Sequence, residues 1–184
     1  MLNKTIELDL KMQKILPVFN TSDLSSDIIR LEKFLLKNSH IKIIEITLRQ
    51  KNSLNIAIEL KNKFSELNFG LGSILSIEDY EMGVDAGFKF FVSPGIIKDL
   101  VNVNAKDYIP GGETISEFIY LLDNGYKVIK FFPSNLLGGE KKLIAIENIL
   151  QEALFIPTGG INIENYLNYL SLKNVLCVGM SKFD

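Results

Sequence analysis

Eight short β-rich runs recur along this chain at nearly even spacing, and that recurrence constrains the fold more than any other feature. They lie near residues 14–19 (KILPVF), 41–48 (IKIIEITL), 68–75 (NFGLGSIL), 88–92 (FKFFV), 106–110 (KDYIP), 126–132 (YKVIKFF), 153–157 (ALFIP) and 174–179 (NVLCVG). Successive runs start about 23 residues apart, which leaves room for one strand, one helix and two short loops. The segments at 25–38 (SSDIIRLEKFLLKN) and 53–67 (SLNIAIELKNKFSEL) repeat apolar residues every three or four positions, as helices do. SIEDYEMGVDAG, TISEFIYLLDNG, GEKKLIAIENILQ and NIENYLNYLS fit the same role, with Ser76, Thr114 and Asn162 expected to cap three of them. Such alternation predicts an α/β fold, a single (β/α)8 TIM barrel. An open doubly wound sheet is the competitor. It usually needs fewer strands, and its dinucleotide form requires GxGxxG after a strand, of which GLGSIL keeps only the first two glycines.

Length sharpens this expectation. At 184 residues the chain is below the roughly 200-residue lower range of typical barrels. Only MSKFD follows Gly179, so the helix after the eighth strand is expected to be short or missing. No low-complexity tract or linker divides the chain, and residues 1–184 are expected to form one domain. The 20 basic and 22 acidic residues give a net charge of -2, without a global pull toward nucleic acid or anionic membrane. No apolar run approaches the roughly 20 residues of a membrane helix, and the start lacks the apolar core of a secretory leader. A single cysteine, Cys177, excludes an intramolecular disulfide and a zinc site with two thiolates from this chain. A single histidine, His40, excludes a His-rich metal centre. The expectation is a cytoplasmic enzyme or binding module with no metal and no cofactor.

The polar residues inside the strands carry the chemistry. In IKIIEITLRQ, period two puts Ile43, Glu45, Thr47 and Arg49 on one face, while Ile44, Ile46 and Leu48 face the helices. A carboxylate inside such a run is costly to bury unless it is paired or functional. Arg49, at the strand's C-terminal end, is placed to reach an anionic ligand or to pair with Glu45. In YKVIKFF, Val128, Lys130 and Phe132 share one face and Lys127, Ile129 and Phe131 the other. Burial disfavours the ammonium form of an inward lysine, and the neutral amine is the form that attacks a ketone or aldehyde. Lys130 is therefore the best nucleophile candidate; a phosphate ligand and a snorkelling lysine remain as alternatives. Pro157, Thr158, Gly159 and Gly160 end the seventh run, with Asn162 expected to open a helix, and Gly179 and Ser181 follow the eighth. These two loops are the usual phosphate site of barrels. Pro94 stiffens the exit of the fourth run, and Ser73 is positioned either to donate to a carboxylate or to cap the next helix. Cys177 is read as core and His40 as remote from the chemistry.

These residues together resemble the class I 2-keto-3-deoxy-6-phosphogluconate (KDPG) aldolase and 4-hydroxy-2-oxoglutarate (KHG) aldolase family. The matching blocks are PVF (17–19), EITLR (45–49), GLGSIL (70–75), FFVSPG (90–95), IPGG with TISE (109–117), KFFPS (130–134), PTGGI (157–161) and VGMS (178–181). The resemblance implies a carbon–carbon lyase that cleaves a 2-keto acid to pyruvate and an aldehyde. By that likeness Lys130 forms the Schiff base and Glu45 shuttles protons. Arg49 and Ser73, the latter where the family has Thr, bind the substrate carboxylate. Pro94, Phe132 and Thr158 shape the pyruvate pocket, while Gly159, Gly160, Gly179 and Ser181 take the phosphate. It also implies a homotrimer.

Two departures bear on the phosphate end. Glu113 lies where the family often has a small residue, and Met180 replaces a glycine beside Ser181. If glycine's backbone freedom is required there, Met180 would distort the loop. Two other readings remain: an idle barrel that binds a metabolite or partner, and a phosphate-binding barrel enzyme of another class, such as a decarboxylase or isomerase.

Overall fold

The computed structural model describes residues 1–183. The chain forms α1 (Lys4–Gln13), β1 (Ile15–Asn20), α2 (Leu24–Lys37), β2 (Ile43–Thr47), α3 (Ser53–Lys63), β3 (Asn68–Gly72), α4 (Ile77–Asp85), β4 (Phe90–Val92) and α5 (Lys98–Asn102). There follow β5 (Tyr108–Ile109), β6 (Gly111–Gly112), α6 (Ile115–Asp123), β7 (Val128–Phe131), a 3-10 turn (Ser134–Leu137), α7 (Gly139–Ile146), β8 (Leu154–Pro157), α8 (Tyr166–Leu170) and β9 (Val178–Met180). All strand pairs are parallel, in the orders β5-β4-β3-β2-β1-β9 and β6-β7-β8. Bridges between Phe155 and Val175 and between Thr158 and Gly179 bring β8 alongside β9.

The sheet is thus a curled barrel, not fully closed, with its looser seams at β8/β9 and between β5 and β6. The latter two are halves of one stave, interrupted at Pro110. Proline has no N–H for the ladder, although the Pro110 carbonyl still accepts from the Lys130 amide at 2.9 Å. Each expected strand is present within a few residues of its sequence position. The two-sided packing also follows the alternation: Ile43 and Val128 join the cluster inside the barrel, while Ile44, Ile46, Ile129 and Phe131 pack between strands and helices.

Caps behave as expected at two helices. Ser76 accepts from the Asp79 amide, and Thr114 forms a reciprocal capping box with Glu117. The third expectation fails. Asn162 opens no helix; its side chain accepts from the Glu164 amide, while Asn165 accepts from the Asn162 amide and donates to the Gly160 carbonyl. These local bonds satisfy the backbone in a turn, so α8 starts only at Tyr166.

The N-terminal helix had no counterpart among the helical candidates. Ile6 and Leu10 of α1 join the interior cluster, so the helix plugs the end of the barrel where the strands begin. Buried Gln13 anchors it. Its Nε2 donates to the carbonyls of Ile15 (2.7 Å) and Ile43 (2.8 Å), and its Oε1 accepts from the amides of Lys42 (2.7 Å) and Ile43 (3.0 Å). Beyond β9, Ser181–Phe183 form no helix, and Phe183 packs on Phe34 with ring centroids 4.7 Å apart. A cavity of about 810 Å3 remains there between β1, α2 and Lys182. It opens on the outside of the barrel, with an apolar floor including Phe19 and Phe34 and a rim including Arg30, Lys33 and Lys37; Lys130 and Glu45 take no part in it. No helix among the described residues is long and apolar enough to cross a membrane.

Gln13→Ala strands buried backbone donors and acceptors at the mouth of β2. It is expected to lower unfolding stability by about 2–4 kcal/mol, measured by urea titration.

Candidate active site

The site assembles where the strands end, because strands β2 and β7 each contribute one inward charged residue. Lys130 Nζ lies 3.2 Å from Glu45 Oε1, with side-chain exposures of 6% and 1%. Neither group could be buried alone without a large desolvation cost; each is the other's counter-charge. The alternative pairing of Glu45 with Arg49 does not form. Arg49 is exposed past the end of β2, and its Nε donates instead to Ser73 Oγ at 3.3 Å. Arg49 therefore remains free of any carboxylate partner among the described residues.

Glu45 reaches Lys130 by passing over a glycine. A Cβ on Gly72 would sit 1.9 Å from Glu45 Oε1, so a side chain there would push the carboxylate out of its place. Just beyond it, Ser73 takes a positive φ of 60°, rare for a residue with a Cβ, and this turn aims its hydroxyl at Arg49. Ser76, not Ser73, caps α4.

The aromatic and glycine positions adjoin this pair. Lys130 Nζ is 5.5 Å from the centroid of the Phe132 ring, within cation–π range. Phe132 in turn lies against Gly159, whose φ of 91° disfavours any side chain and where a Cβ would press the ring at 3.2 Å. Thr158 is nearly buried, bonds to the Ile156 carbonyl at 3.2 Å and pairs with Gly179 across the β8/β9 seam. Gly160 follows with a positive φ and packs against Asn135. The two loops expected to meet do so, although no helix N-terminus adjoins them, since α8 starts later.

Ser181 directly follows β9. It is exposed, lines the outer cavity and makes no side-chain hydrogen bond among the described residues. Met180 causes no distortion. It lies in β9 opposite Pro17, outside the positive-φ region, with its side chain buried in the outer core. Glu113 is exposed at the start of α6, where an acid suits the helix terminus.

Three residues at the site went unread in the sequence. Buried Ser93 links its hydroxyl to Tyr108 (2.6 Å), to the Gly95 carbonyl (2.5 Å) and to the Gly111 amide (3.3 Å), fixing the turn that carries Pro94. Burial pushes the Tyr108 phenol up, so it stays a neutral hydrogen-bonding group. Asn20, at the end of β1, accepts from the Thr47 hydroxyl at 2.7 Å. Its period-two parity with Leu16 gave a signal that the aligned β1/β2 ends complete. Cys177 lies inside the barrel; burial, and then the Glu45 charge, push its thiol up, which leaves it an inert core group. His40 is exposed in a turn at the opposite end. Among the described residues no group of three or more His, Cys, Asp and Glu could hold a metal ion.

Comparison with known proteins now bears on this arrangement. The family model described as KDPG and KHG aldolase matches residues 6–184. The chain belongs to this aldolase family. It is 35% identical over 144 residues to the KHG/KDPG aldolase of Escherichia coli (strain K12), covering 77% of this chain and 68% of that protein. It is also similar to the KDPG aldolase of Legionella pneumophila, solved with pyruvate captured at low pH as a covalent carbinolamine intermediate. The TM-score is 0.86 at 33% identity, over 94% of this chain and 84% of that one. The KDPG aldolase of Zymomonas mobilis ZM4, solved with 3-phosphoglycerate, superimposes with a TM-score of 0.87 at 27% identity, over 96% and 84%.

Gly72→Ala tests how narrowly the carboxylate is held. The added methyl displaces Glu45 from Lys130, and kcat is expected to fall about 100-fold while the circular dichroism spectrum keeps its shape.

Proposed function

We propose that Lys130 is the Schiff-base nucleophile and Glu45 the proton carrier of this aldolase. The chain is a carbon–carbon lyase of the class I type, acting on a 2-keto-3-deoxy-6-phospho sugar acid or on 4-hydroxy-2-oxoglutarate. The observation that carries the residue assignment is the 3.2 Å contact between two otherwise unpaired buried charges at the active end of the barrel. An ammonium that touches a carboxylate can pass it a proton, leaving the neutral amine that nucleophilic attack requires.

The steps follow from that contact. The Lys130 amine adds to the C2 ketone, and Glu45 returns the proton it took from the lysine to the carbinolamine hydroxyl, which leaves as water and gives an iminium. Glu45, as carboxylate, takes the proton of the C4 hydroxyl. The C3–C4 electron pair then moves into the iminium, releasing the aldehyde and leaving an enamine. Glu45 returns its proton to C3, and hydrolysis frees pyruvate and restores the lysine. The released aldehyde is glyceraldehyde 3-phosphate or glyoxylate, according to the substrate. Every proton transfer runs through one carboxylate.

In this reading Arg49, with Ser73 as its partner, holds the substrate carboxylate bidentately. Pro94, Phe132 and Thr158 wall the pyruvate pocket. The amides of Gly159, Gly160 and Gly179 and the Ser181 hydroxyl take a phosphate tail, with backbone N–H groups as the donors. A single barrel domain, homotrimeric assembly and a cytoplasmic setting, as the family resemblance implies, belong to the same proposal.

Borohydride reduction with pyruvate, followed by peptide mapping, is expected to leave a stable pyruvyl adduct on Lys130 and none in Lys130→Ala. A folded wild-type protein without an adduct would overturn the mechanism. Glu45→Gln should still be trapped, but with kcat reduced about 100- to 10,000-fold, because the general acid–base group is gone. Ser181→Ala is expected to lower kcat/KM about fivefold for the phosphorylated acid and to spare 4-hydroxy-2-oxoglutarate, checked by coupled pyruvate assays.

A further inference from the structure

The Asn20 side chain is held in one orientation at the mouth of the barrel. Asn20 is the last residue of β1, aligned with Thr47 of β2, and it shares the inward parity of Leu16, two steps above Val18, which faces Glu45 across the strand pair. Thr47 is buried and donates its hydroxyl to Asn20 Oδ1 at 2.7 Å. Arg30, itself braced by buried Asp27 at 2.8 Å, donates to the Asn20 carbonyl from outside the barrel. A carboxamide has one acceptor oxygen and two N–H donors. With the oxygen engaged, both Nδ2 hydrogens are left for another acceptor, and no protein group among the described residues takes them. Asn20 is exposed at the end of its strand and also borders the outer cavity, but its bond to inward-facing Thr47 holds the carboxamide on the β2 side, at the barrel mouth.

The position of β1 in the barrel says which part of a ligand meets those donors. β1 lies between β2, whose end carries Arg49, and β9, which carries Gly179. Under the proposed function, on which this inference rests, the substrate carboxylate lies on the Arg49 side and its tail on the Gly179 side. A group on β1 then faces the middle of the molecule, beyond the bond that breaks. We infer that Asn20 is a substrate-contacting specificity residue whose amide donates to the oxygen on C5, next to the scissile C3–C4 bond on the aldehyde side. Thr47 is its positioning residue. The C5 oxygen is a hydroxyl in the six-carbon phosphorylated acid and a carboxylate oxygen in 4-hydroxy-2-oxoglutarate. Either accepts from an amide N–H, so one donor serves both substrates.

The test compares substrates with and without that oxygen. Cleavage of KDPG, 4-hydroxy-2-oxoglutarate and 4-hydroxy-2-oxopentanoate, which has a methyl at C5, is measured for wild type, Asn20→Ala and Asn20→Asp. Asn20→Asp keeps the shape and the acceptor for Thr47 and lacks the donors. Both variants are expected to lose about tenfold in kcat/KM on the two C5-oxygenated acids and to match wild type on the pentanoate. Borohydride trapping with pyruvate alone, which has no C5, is expected to proceed as in wild type in both. Equal losses on all three substrates, a parallel loss of pyruvate trapping, or undiminished cleavage would overturn the specificity role. Absence of an adduct on wild-type protein overturns the Schiff-base reading instead, and the inference with it.

Discussion

One buried ion pair organises the chemistry of this protein. Lys130 and Glu45 sit on strands that are far apart in sequence, and their side chains meet inside the barrel at 3.2 Å. A barrel interior is a packed apolar space, so any charge inside it must find an opposite charge or a ligand. The pairing makes both charges tolerable and, in the proposed mechanism, supplies an acceptor for the lysine proton. The neighbours of the pair fit around it: Gly72, opposite Thr47, leaves room for the carboxylate, and the Phe132 ring lies beside the amine.

The two ends of the barrel are built differently. At the strand beginnings, α1 inserts Ile6 and Leu10 into the interior, and Gln13 satisfies four backbone groups at the starts of β1 and β2. At the strand ends, polar side chains replace the apolar filling, and hydrogen bonds set their directions: Thr47 to Asn20, Arg49 to Ser73, Ser93 to Tyr108. The first end is closed by apolar packing, and the second presents polar groups held in place by hydrogen bonds. The unhelical stretch after β9 leaves a basic, aromatic-floored cavity on the outer face, remote from the reacting pair.

Much of the fold was legible because periodicity is a local property. Two-residue alternation in IIEIT and VIKF put Glu45 and Lys130 on inward faces, and the Ser76 and Thr114 caps stood at their helix starts. Local reasoning failed where two local preferences competed. Asn162 heads an apolar-periodic segment and reads as a cap, yet Asn162 and Asn165 satisfy each other in a turn. α1 was missed because its apolar positions are few and it packs end-on beneath the strands, without the long stripe of a surface helix. Met180 shows the reverse error: a substitution suspect by composition is harmless, because the backbone there is a strand.

The sequence by itself determined the eight-stave architecture, the inward placement of Glu45 and Lys130, and the family likeness, since these depend on spacing along the chain. Which charges pair was decided only by the tertiary structure. Glu45 has a cation four residues away in Arg49 and another 85 residues away in Lys130, and it takes the distant one. Curling the sheet brings β2 and β7 face to face across a narrow interior, while Arg49 lies past the strand end in solvent, where a carboxylate gains little from pairing. Arg49 is thereby left free of Glu45 and available to the substrate carboxylate of the proposed mechanism.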